Sequence, residues 1–401
     1  MRIIPRALGP SIHEATRDFP AVVVTGPRRA GKTTLLRRLF PKAQYWLLED
    51  PDQQARIRSD PRSFLAGVEP PVILDEMQNT PELFAYIRTR IDAEPNARGR
   101  WLLTGSQESP LMQGVTESLA GRAAVFQLLP LSTAESSKVT PFRGGFPEVV
   151  ARPRSAEVWL RSYVQTYLER DVRAVTAIRD LATFRRFLGL AASRSGRMLN
   201  KTDVAAPLGV SVPTVGAWLS ILEITGQVMM VPPYLDNFGK RLVKTPRLYF
   251  CDTGLLCHLL GIESQRQLES SPFLGEVFET FVASEIAKAQ LAAGRRREFY
   301  YFRDEQGLEV DFVVPVPGGR LLLAEAKAAR TVTPPMAAPL QRLRTAGGDR
   351  IAAAMLVHRQ DNSAPRTQAL AEGVAAVDLP SLLAAIVPKG APRHRIAKKR
   401  S

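Results

Sequence analysis

The chain has 401 residues, and its 54 Lys and Arg against 39 Asp and Glu give a formal net charge of +15. At about 100–200 residues per domain this length predicts two to four domains, and 45% hydrophobic with 23% charged residues excludes a disordered polyelectrolyte. Two cysteines exclude a disulfide framework or a cysteine-rich zinc site, and the lack of a signal-peptide run or of about 18 uninterrupted apolar residues predicts a cytoplasmic protein without a membrane partner.

Two turn-rich segments divide the chain. Pro and Gly cluster at residues 140–154, and residues 261–273 are polar and turn-rich. The predicted parts are three domains and a basic tail, over residues 1–140, 141–260, 261–388 and 389–401. The first domain carries 18 basic and 15 acidic side chains, whereas the middle domain carries 16 and 9. The positive excess therefore lies mainly in the middle domain and the tail, which favours a polyanionic partner there.

A glycine-rich loop follows the first predicted strand. The β-branched run Ala21–Thr25 predicts a buried strand, and a helix-like run over Leu35–Phe40 comes after the loop. Between them lies a G-x4-G-K-T pattern made of Gly26, Pro27, Arg28, Arg29, Ala30, Gly31, Lys32, Thr33 and Thr34. Such a loop places backbone N–H groups and a helix N-terminus around phosphate oxygens. The pattern predicts an ATP site in which Lys32 reaches the β- and γ-phosphates and Thr33 ligates Mg²⁺.

The next predicted strand ends in two carboxylates. The apolar run Pro71–Leu74 leads directly into Asp75 and Glu76. In a phosphate-loop site, a carboxylate at this position holds Mg²⁺ through water, which is the role predicted for Asp75. The adjacent Glu76 is the predicted general base that polarises the attacking water.

Two further candidates lie on later strands of the first domain. The run Arg100–Thr104 predicts a strand with a polar tip, where Thr104 or Ser106 is the candidate sensor of the γ-phosphate. Arg122 precedes another predicted strand, Ala124–Leu129. From there an arginine can stabilise transition-state charge within its own subunit or across an interface. A plain surface role for Arg122 stays open as an alternative.

The middle domain contains a predicted helix-turn-helix. The spacing predicts a helix over Leu181–Ser193, a short helix ending at Leu208 and a second helix that Ser211 caps. A following run, Thr225–Pro232, has the character of a β wing. This order resembles a winged helix.

The charges of this region point to phosphate contact. Six basic residues lie close together, namely Arg179, Arg185, Arg186, Arg194, Arg197 and Lys201. The second helix is almost uncharged and offers few donors to base edges. Any DNA contact is therefore predicted to be salt-dependent and weakly sequence-specific. The alternative is a lid or a protein-docking module.

Three acids and a lysine form a pattern in the last domain. An amphipathic helix over Phe273–Leu291 carries Glu279, and predicted strands carry Asp311, Glu325 and Lys327. Asp311 and Glu325 on neighbouring strands would bring together two carboxylates, which suit Mg²⁺ or Mn²⁺. Lys327 points to the same face as Glu325, where it would orient or deprotonate the attacking water. The pattern resembles the PD-(D/E)xK nuclease fold, and that resemblance favours Glu279 as the helix carboxylate. The alternative is paired surface charges or an inactive docking domain.

Several stretches in this order resemble the AAA+ family of bacterial and archaeal ATPases that carry a C-terminal domain of unknown function. The resemblance covers the chain to about residue 330 and rests on GPRRAGKTTL, YWLLEDPD, VILDEMQNTPELF, LLTGS, SLAGR, LLPLS, GGFPEVV, TYLERDV, KTPRLYFCDTGL, GEVFETFVASEI, FRDEQGLEVDFVV and LLLAEAKA. It implies an ATPase core and a C-terminal module but names no substrate.

Together these patterns predict an α/β fold. A P-loop NTPase of AAA+ type with a RecA-like parallel sheet is followed by a helical, winged-helix region and an α/β restriction-endonuclease-like domain. The expected ligands are ATP and Mg²⁺, with Mg²⁺ or Mn²⁺ at the C-terminal site. The leading hypothesis is an ATP-hydrolysing protein that handles DNA, with nuclease activity left open. The alternative is a nucleotide-gated switch or scaffold for a protein partner, and a homo-oligomer fits either.

Overall fold

The structure is a computed structural model that describes residues 3–106, 114–115, 117–168, 181–234, 244–360 and 365–388. The predicted basic tail and Arg179 lie outside the described residues. The chain divides into two compact units. The first consists of residues 1–131 with 224–227 and 291–294, and the second consists of the remaining residues. The predicted three-domain division stays a prediction.

The first unit is built on a parallel five-stranded sheet. Its strands are β1 (Ala21–Thr25), β2 (Gln44–Leu47), β3 (Val72–Asp75), β4 (Trp101–Thr104) and β5 (Ala123–Gln127). Their order across the sheet is β2-β3-β4-β1-β5, and each neighbouring pair runs parallel. The carboxyl ends of all five strands therefore lie along one edge. This confirms the predicted parallel α/β sheet.

Helices accompany the sheet of the first unit. They are α1 (Gly9–Asp18), α2 (Lys32–Leu39), α3 (Pro51–Ser59), α4 (Pro61–Ala66) and α5 (Leu83–Ala93). Strands β1, β3 and β4 are buried along their whole length, which explains why they read as continuous apolar runs rather than alternating ones. Because consecutive strand residues face opposite ways, Val23 and Leu74 enter one apolar cluster, whereas Val22 and Ile73 enter another.

The second unit begins with helices. They are α6 (Pro147–Ala151), α7 (Ala156–Tyr163), α8 (Leu181–Ala192), α9 (Lys201–Ala205), α10 (Val212–Ile224), α11 (Thr253–Leu259) and α12 (Gln265–Ser270). The antiparallel strands β6 (Val228–Val231) and β7 (Arg247–Phe250) form a small sheet of their own. Asn200 caps α9, and Gly209 turns the chain with a φ of +67° before α10. The helices and β6 have the predicted order, and the winged-helix interpretation stays a prediction.

Apolar packing holds the helix-turn-helix segment. Trp218 of α10 contacts the rings of Phe184 and Phe187 on α8, with centroids 5.5 and 5.0 Å away.

No single helix among the described residues has the length and apolarity that a membrane span requires. One pair bent by 111°, Lys201–Leu208 with Val212–Ile224, meets that test by length and composition only.

The second unit ends in a six-stranded mixed sheet. Its strands are β8 (Tyr300–Arg303), β9 (Glu309–Val316), β10 (Arg320–Lys327), β11 (Ile351–His358), β12 (Thr367–Ala371) and β13 (Val374–Val377). The order is β12-β13-β11-β10-β9-β8, with β9 antiparallel to β8 and β10, and β10 parallel to β11. Helix α13 (Leu274–Ala292) precedes β8, α14 (Ala338–Gly347) connects β10 to β11, and α15 (Leu379–Ile386) follows β13.

A buried aspartate joins two glycine-containing segments of the second unit. Asp252 accepts hydrogen bonds from the backbone N–H groups of Gly145, at 2.7 Å, and Leu255, at 3.0 Å. Burial raises the pKa of Asp252, and the backbone hydrogen bonds oppose that rise. Gly144 approaches the same carboxylate with a φ of +67°. The carboxylate thus fixes the loop before α6 against the start of α11.

Candidate functional site

The glycine-rich loop lies at the carboxyl edge of the first sheet, between β1 and α2. Helix α2 begins at Lys32, and Gly31 before it has a left-handed φ of +98°. Gly26 has a φ of +137°, and a Cβ at this position would overlap the carbonyl oxygen of Leu128. Both glycines are therefore required by the backbone path itself. The loop opens onto the N-terminus of α2, where N–H groups have no intrahelical partner.

Lys32 and Arg6 hold the loop from two sides. Lys32 is 4% exposed, and its ammonium group donates hydrogen bonds to the carbonyl oxygens of Gly26 and Pro27, at 3.0 and 3.1 Å. The Arg6 guanidinium donates to the carbonyl oxygens of Ala30 and Leu129, at 2.7 and 2.6 Å. Sequence reasoning missed Arg6, because an isolated arginine before the first helix gives no signal of a contact 24 residues away.

Asp75 accepts hydrogen bonds from three hydroxyl groups. Its carboxylate is buried and lies 2.9 Å from Thr33 Oγ1 and 2.8 Å from the Tyr45 hydroxyl. The Thr104 hydroxyl donates to the same carboxylate. Burial and the hydrogen bond to Asp75 raise the pKa of Tyr45 well above its usual range. Tyr45 was missed in the sequence, because nothing in the stretch YWLLEDPD, which it begins, assigns a partner to its hydroxyl group.

The donor set around Asp75 fits Mg²⁺. A carboxylate and a threonine hydroxyl in contact are hard oxygen ligands of the kind that Mg²⁺ takes beside substrate phosphates. Thr33 and Asp75, the two predicted residues, are thus brought together. Ser106 lies two residues beyond β4 at the same edge of the sheet and is buried. The roles of Thr104 and Ser106 as γ-phosphate sensors stay predictions.

Glu76 follows β3 in an unusual backbone conformation. It has a φ of +62°, in the left-handed region that favours glycine. Its N–H donates to Thr104 Oγ1 at 3.3 Å, and the Gln78 amide donates to its carboxylate. These contacts hold the carboxylate at the end of β3, next to Asp75. A strained residue held by its surroundings is typical of functional sites.

Arg122 lies at the opposite edge of the sheet. Its carbonyl oxygen accepts a hydrogen bond from the N–H of Ala21, the first residue of β1, whereas the glycine-rich loop follows the last residue of β1. Five strand residues separate the two ends by about 17 Å. The Arg122 side chain pairs with Asp92, with Nε 2.7 Å from Oδ1. This position does not favour a phosphate contact by Arg122 within its own subunit, and both predicted roles, within the subunit and across an interface, stay predictions.

The second unit contains an acidic cleft of about 580 Å³. It is lined by the four predicted residues Glu279, Asp311, Glu325 and Lys327, together with other charged side chains. Asp311 on β9 accepts a hydrogen bond from the N–H of Ala326 at 3.0 Å. Lys327 lies 2.8 Å from Glu325 on the same strand. The sequence pattern therefore located the members of this cluster correctly.

An unpredicted residue, Arg247 of β7, lies inside the cluster. Its side chain is 3% exposed, and Nη1 lies 2.9 Å from Glu279 Oε1 and 3.3 Å from Asp311 Oδ1. Its Nη2 pairs with Glu309. The guanidinium also lies over the ring of Tyr301, 4.8 Å from the centroid. Arg247 stands 32 residues before Glu279 in an apolar strand, so nothing in the sequence linked it to the acids.

Two carboxylates of the cluster, those of Glu279 and Glu325, have raised pKa values. Burial and the nearby Asp311 raise the pKa of Glu279 to about 8, against the opposing effect of Arg247. Burial and Asp311 also raise the pKa of Glu325 to about 7, although Lys327 opposes the shift. The main physical cause of both shifts is burial, which disfavours the charged form, and the neighbouring carboxylate of Asp311 adds to it.

The residues present do not fit a divalent cation. Within the part of the chain that the structure describes, no group of three or more His, Cys, Asp or Glu is arranged to hold a metal ion. The oxygens of Glu279 and Asp311 that face each other are bridged by Arg247. The arrangement of Glu279, Asp311 and Glu325 therefore does not support the predicted Mg²⁺ or Mn²⁺ site.

Comparison with known proteins assigns the first unit. A family model described as an AAA domain matches residues 18–137. Two models described as domains of unknown function, DUF8612 and DUF4143, match residues 138–266 and 274–382. The first part of the chain is thus an AAA-type P-loop domain, as predicted. The matches to the remainder do not identify a winged helix or a nuclease fold.

One solved structure and two curated proteins are similar to most of this chain. The Walker-type ATPase paby2304 of Pyrococcus abyssi is a solved structure with 16% identity and a TM-score of 0.44, covering 64% of this chain and 96% of that chain. Uncharacterized protein Rv2008c of Mycobacterium tuberculosis and uncharacterized protein Mb2031c of Mycobacterium bovis are each 33% identical over 326 residues, which covers 79% of this chain and 73% of theirs. The chain belongs to the same family as these two mycobacterial proteins, and its AAA domain is followed by two domains of unknown function.

Proposed function

We propose that this chain binds ATP with Mg²⁺ and hydrolyses it at the edge of the first sheet. The observation that carries the proposal is the contact between Thr33 and Asp75, 2.9 Å apart, at the helix N-terminus that opens beside Lys32. The loop N–H groups bind phosphate oxygens. When ATP binds, the Lys32 ammonium leaves the loop carbonyl oxygens and donates its hydrogen bonds to the β- and γ-phosphates. When bound, Mg²⁺ supplies positive charge to the phosphates, and Thr33 and Asp75 are the residues that hold it.

Glu76 acts as the general base in this proposal. Its carboxylate stands at the end of β3, one residue beyond Asp75, and accepts the proton of the attacking water. The Gln78 amide that donates to this carboxylate fixes its orientation.

We also propose that the protein acts on DNA and contacts its phosphates with the second unit. Arg185 and Arg186 on α8 and Lys201 on α9 are exposed. Arg197, in contrast, is paired with Glu276 at 2.5 Å. Helix α10 carries no charged side chain between Val212 and Leu222, so it offers little to base edges. The expected contact is electrostatic and tolerant of sequence.

The experiment is ATP turnover measured without DNA and with single- or double-stranded DNA, at low and raised salt. We expect turnover in the wild type, none in Lys32→Ala, and a stimulation by DNA that raised salt removes. The double variant Arg185→Glu/Lys201→Glu should lose the stimulation but keep the basal rate, whereas Arg266→Glu, an exposed arginine of α12, should keep both. Wild-type turnover in Lys32→Ala would refute the site, and stimulation unchanged in the double variant would refute the DNA surface.

A second candidate function is a nucleotide-gated switch that binds a protein and does not cut DNA. The observation that favours it is Arg247 among the carboxylates of the cleft. Under this proposal DNA leaves ATP turnover unchanged, and neither Mg²⁺ nor Mn²⁺ supports cleavage of added DNA. Cleavage by the wild type that Asp311→Ala abolishes would reject the switch and favour a nuclease.

A further inference from the structure

We propose that Arg247 is the resident cation of the acidic cleft and that its guanidinium excludes a divalent metal ion from Glu279 and Asp311. The cleft is then an internal ion network rather than a metal centre. The inference does not depend on ATP hydrolysis, because the residues concerned all belong to the second unit.

Arg247 fills the position that a metal ion between Glu279 and Asp311 would need. One atom, Arg247 Nη1, contacts both Glu279 Oε1 and Asp311 Oδ1, at 2.9 and 3.3 Å. A Mg²⁺ ion takes its oxygen ligands at about 2.0–2.1 Å and demands near-octahedral geometry. An ion that bridged the same two oxygens would have to occupy the space that Nη1 fills. The guanidinium and the metal are therefore alternatives at this position.

Further contacts hold the Arg247 guanidinium in this position. Its other nitrogen, Nη2, pairs with Glu309, and its planar group lies over the ring of Tyr301. The Tyr249 hydroxyl donates to Glu279 Oε1 at 2.6 Å, so that oxygen already has two donors. A guanidinium with several buried partners is costly to remove, because the carboxylates would be left without a cation.

Arg247 and its acidic partners lie on different elements of the second unit. Arg247 lies at the first position of β7, whereas its partners lie on α13 and β9. The ion network thus ties the small β6-β7 sheet to the helix and strand that carry the predicted nuclease residues. A cation supplied by the chain itself gives this connection without any added ion.

The experiment counts bound Mn²⁺ on the nucleotide-free full chain, from the electron paramagnetic resonance signal of the free ion. We expect the wild type and Asp311→Asn to bind the same number of ions. Arg247→Met, which keeps the apolar stem but loses the charge, should gain one ion per chain, and adding Asp311→Asn to it should remove that ion. Any Mn²⁺ held by Thr33 and Asp75 is common to all variants and cancels in these differences.

The control is Arg359→Met. Arg359 pairs with Glu269 at 3.1 Å outside the cleft, so its loss should bring no new ion. The proposal is overturned if the wild type already holds an ion that Asp311→Asn loses. It is also overturned if Arg247→Met folds, as judged by circular dichroism, and gains no ion. If Arg247→Met does not fold, the comparison of the wild type with Asp311→Asn still decides whether the cleft holds a metal.

Discussion

Asp75 shows how single residues assemble the nucleotide site. Its carboxylate accepts hydroxyl donors from α2, β2 and β4, supplied by Thr33, Tyr45 and Thr104. Two of these donors come from the strands on either side of β3 in the sheet. The carboxylate is therefore fixed by the parallel sheet itself, which is the kind of rigid support that a phosphate site requires.

Substitution of Glu76 should separate binding from chemistry. We expect Glu76→Gln to bind ATP as the wild type does but to lower turnover by about 10²–10⁴-fold, because the amide cannot accept a proton. Binding of a fluorescent ATP analogue and release of phosphate measure the two effects. Glu69→Gln, at an exposed glutamate of the same unit, is the matched control. Turnover retained in Glu76→Gln would remove Glu76 from the role of base.

Glu279 should make the free energy of unfolding of the second unit depend on pH. Its pKa in the folded chain, about 8, lies above the ordinary 4.5, so the folded chain binds more protons than the unfolded chain between these values. The free energy of unfolding therefore falls as pH rises through this window. Above pH 8 the stabilisation that Glu279 contributes is fully lost. Glu279→Gln should flatten that fall, as measured by melting temperature against pH.

Glu269 supplies the control for this pH profile. It is exposed, and hydrogen bonds from Gln265 and Arg359 lower its pKa. Its contribution to the change of the free energy of unfolding with pH therefore has the opposite sign. Glu269→Gln should therefore leave the fall between pH 4.5 and 8 in place. An equal slope in the wild type and Glu279→Gln would mean that Glu279 is ionised throughout.

The residues that sequence reasoning missed share one property. Arg6, Tyr45 and Arg247 act on atoms that are distant in the sequence. Tyr45 and Arg247 lie in stretches that carry the family resemblance, but those stretches assign neither side chain a partner. The residues found in advance, such as Thr33 and Asp75, follow directly on strands that read as apolar runs. A motif predicts what stands at the end of its own element, whereas a partner from another element becomes visible only when the sheet order is known.

At the scale of the elements, apolar runs and turns predicted most of the framework. Strand β1 has the predicted bounds, and the order of α8, α9 and α10 agrees with the helical spacing. The positions of β6 and β7 beside each other, and of β7 near the last sheet, had no local signal. Long-range pairing of this kind depends on tertiary contacts that intrinsic propensity does not encode.

Gly144 tests the junction between α6 and α11. A Cβ at Gly144 would overlap Asp252 Oδ1 and the N–H of Gly254. We expect Gly144→Ala to lower the free energy of unfolding of the second unit by more than about 3 kcal/mol, because backbone strain and the overlap add. Gly209→Ala is the control, since Gly209 has the same φ of +67° but no atom within 4 Å of the added carbon.

Calorimetric unfolding of the full chain measures this difference. The control should cost about 1–2 kcal/mol, the ordinary strain of a left-handed alanine. Equal destabilisation by the two substitutions would mean that the φ value alone matters and that Asp252 does not fix the loop. The comparison therefore isolates the contact from the backbone conformation.

At the scale of the whole molecule, the net charge of +15 does not locate the functional sites. The nucleotide site depends on Lys32 and backbone N–H groups in a domain with nearly balanced charge. The acidic cleft holds an arginine within a surplus of carboxylates. The exposed basic residues of α8 and α9 are the part of the positive charge that would attract a polyanion.

Arg122 extends the ATPase proposal to an assembly. Because its own subunit's loop is at the other edge of the sheet, we propose that Arg122 assists hydrolysis at the site of a second copy. We expect Arg122→Ala to bind ATP normally but to lower turnover, and an excess of this variant to lower the turnover of added wild type as mixed assemblies form. Asp92→Ala, which removes the partner of Arg122 but keeps the guanidinium, is the matched control and should retain turnover. If Arg122→Ala turns over ATP at the wild-type rate, each subunit completes its own site and the arginine is a surface residue paired with Asp92.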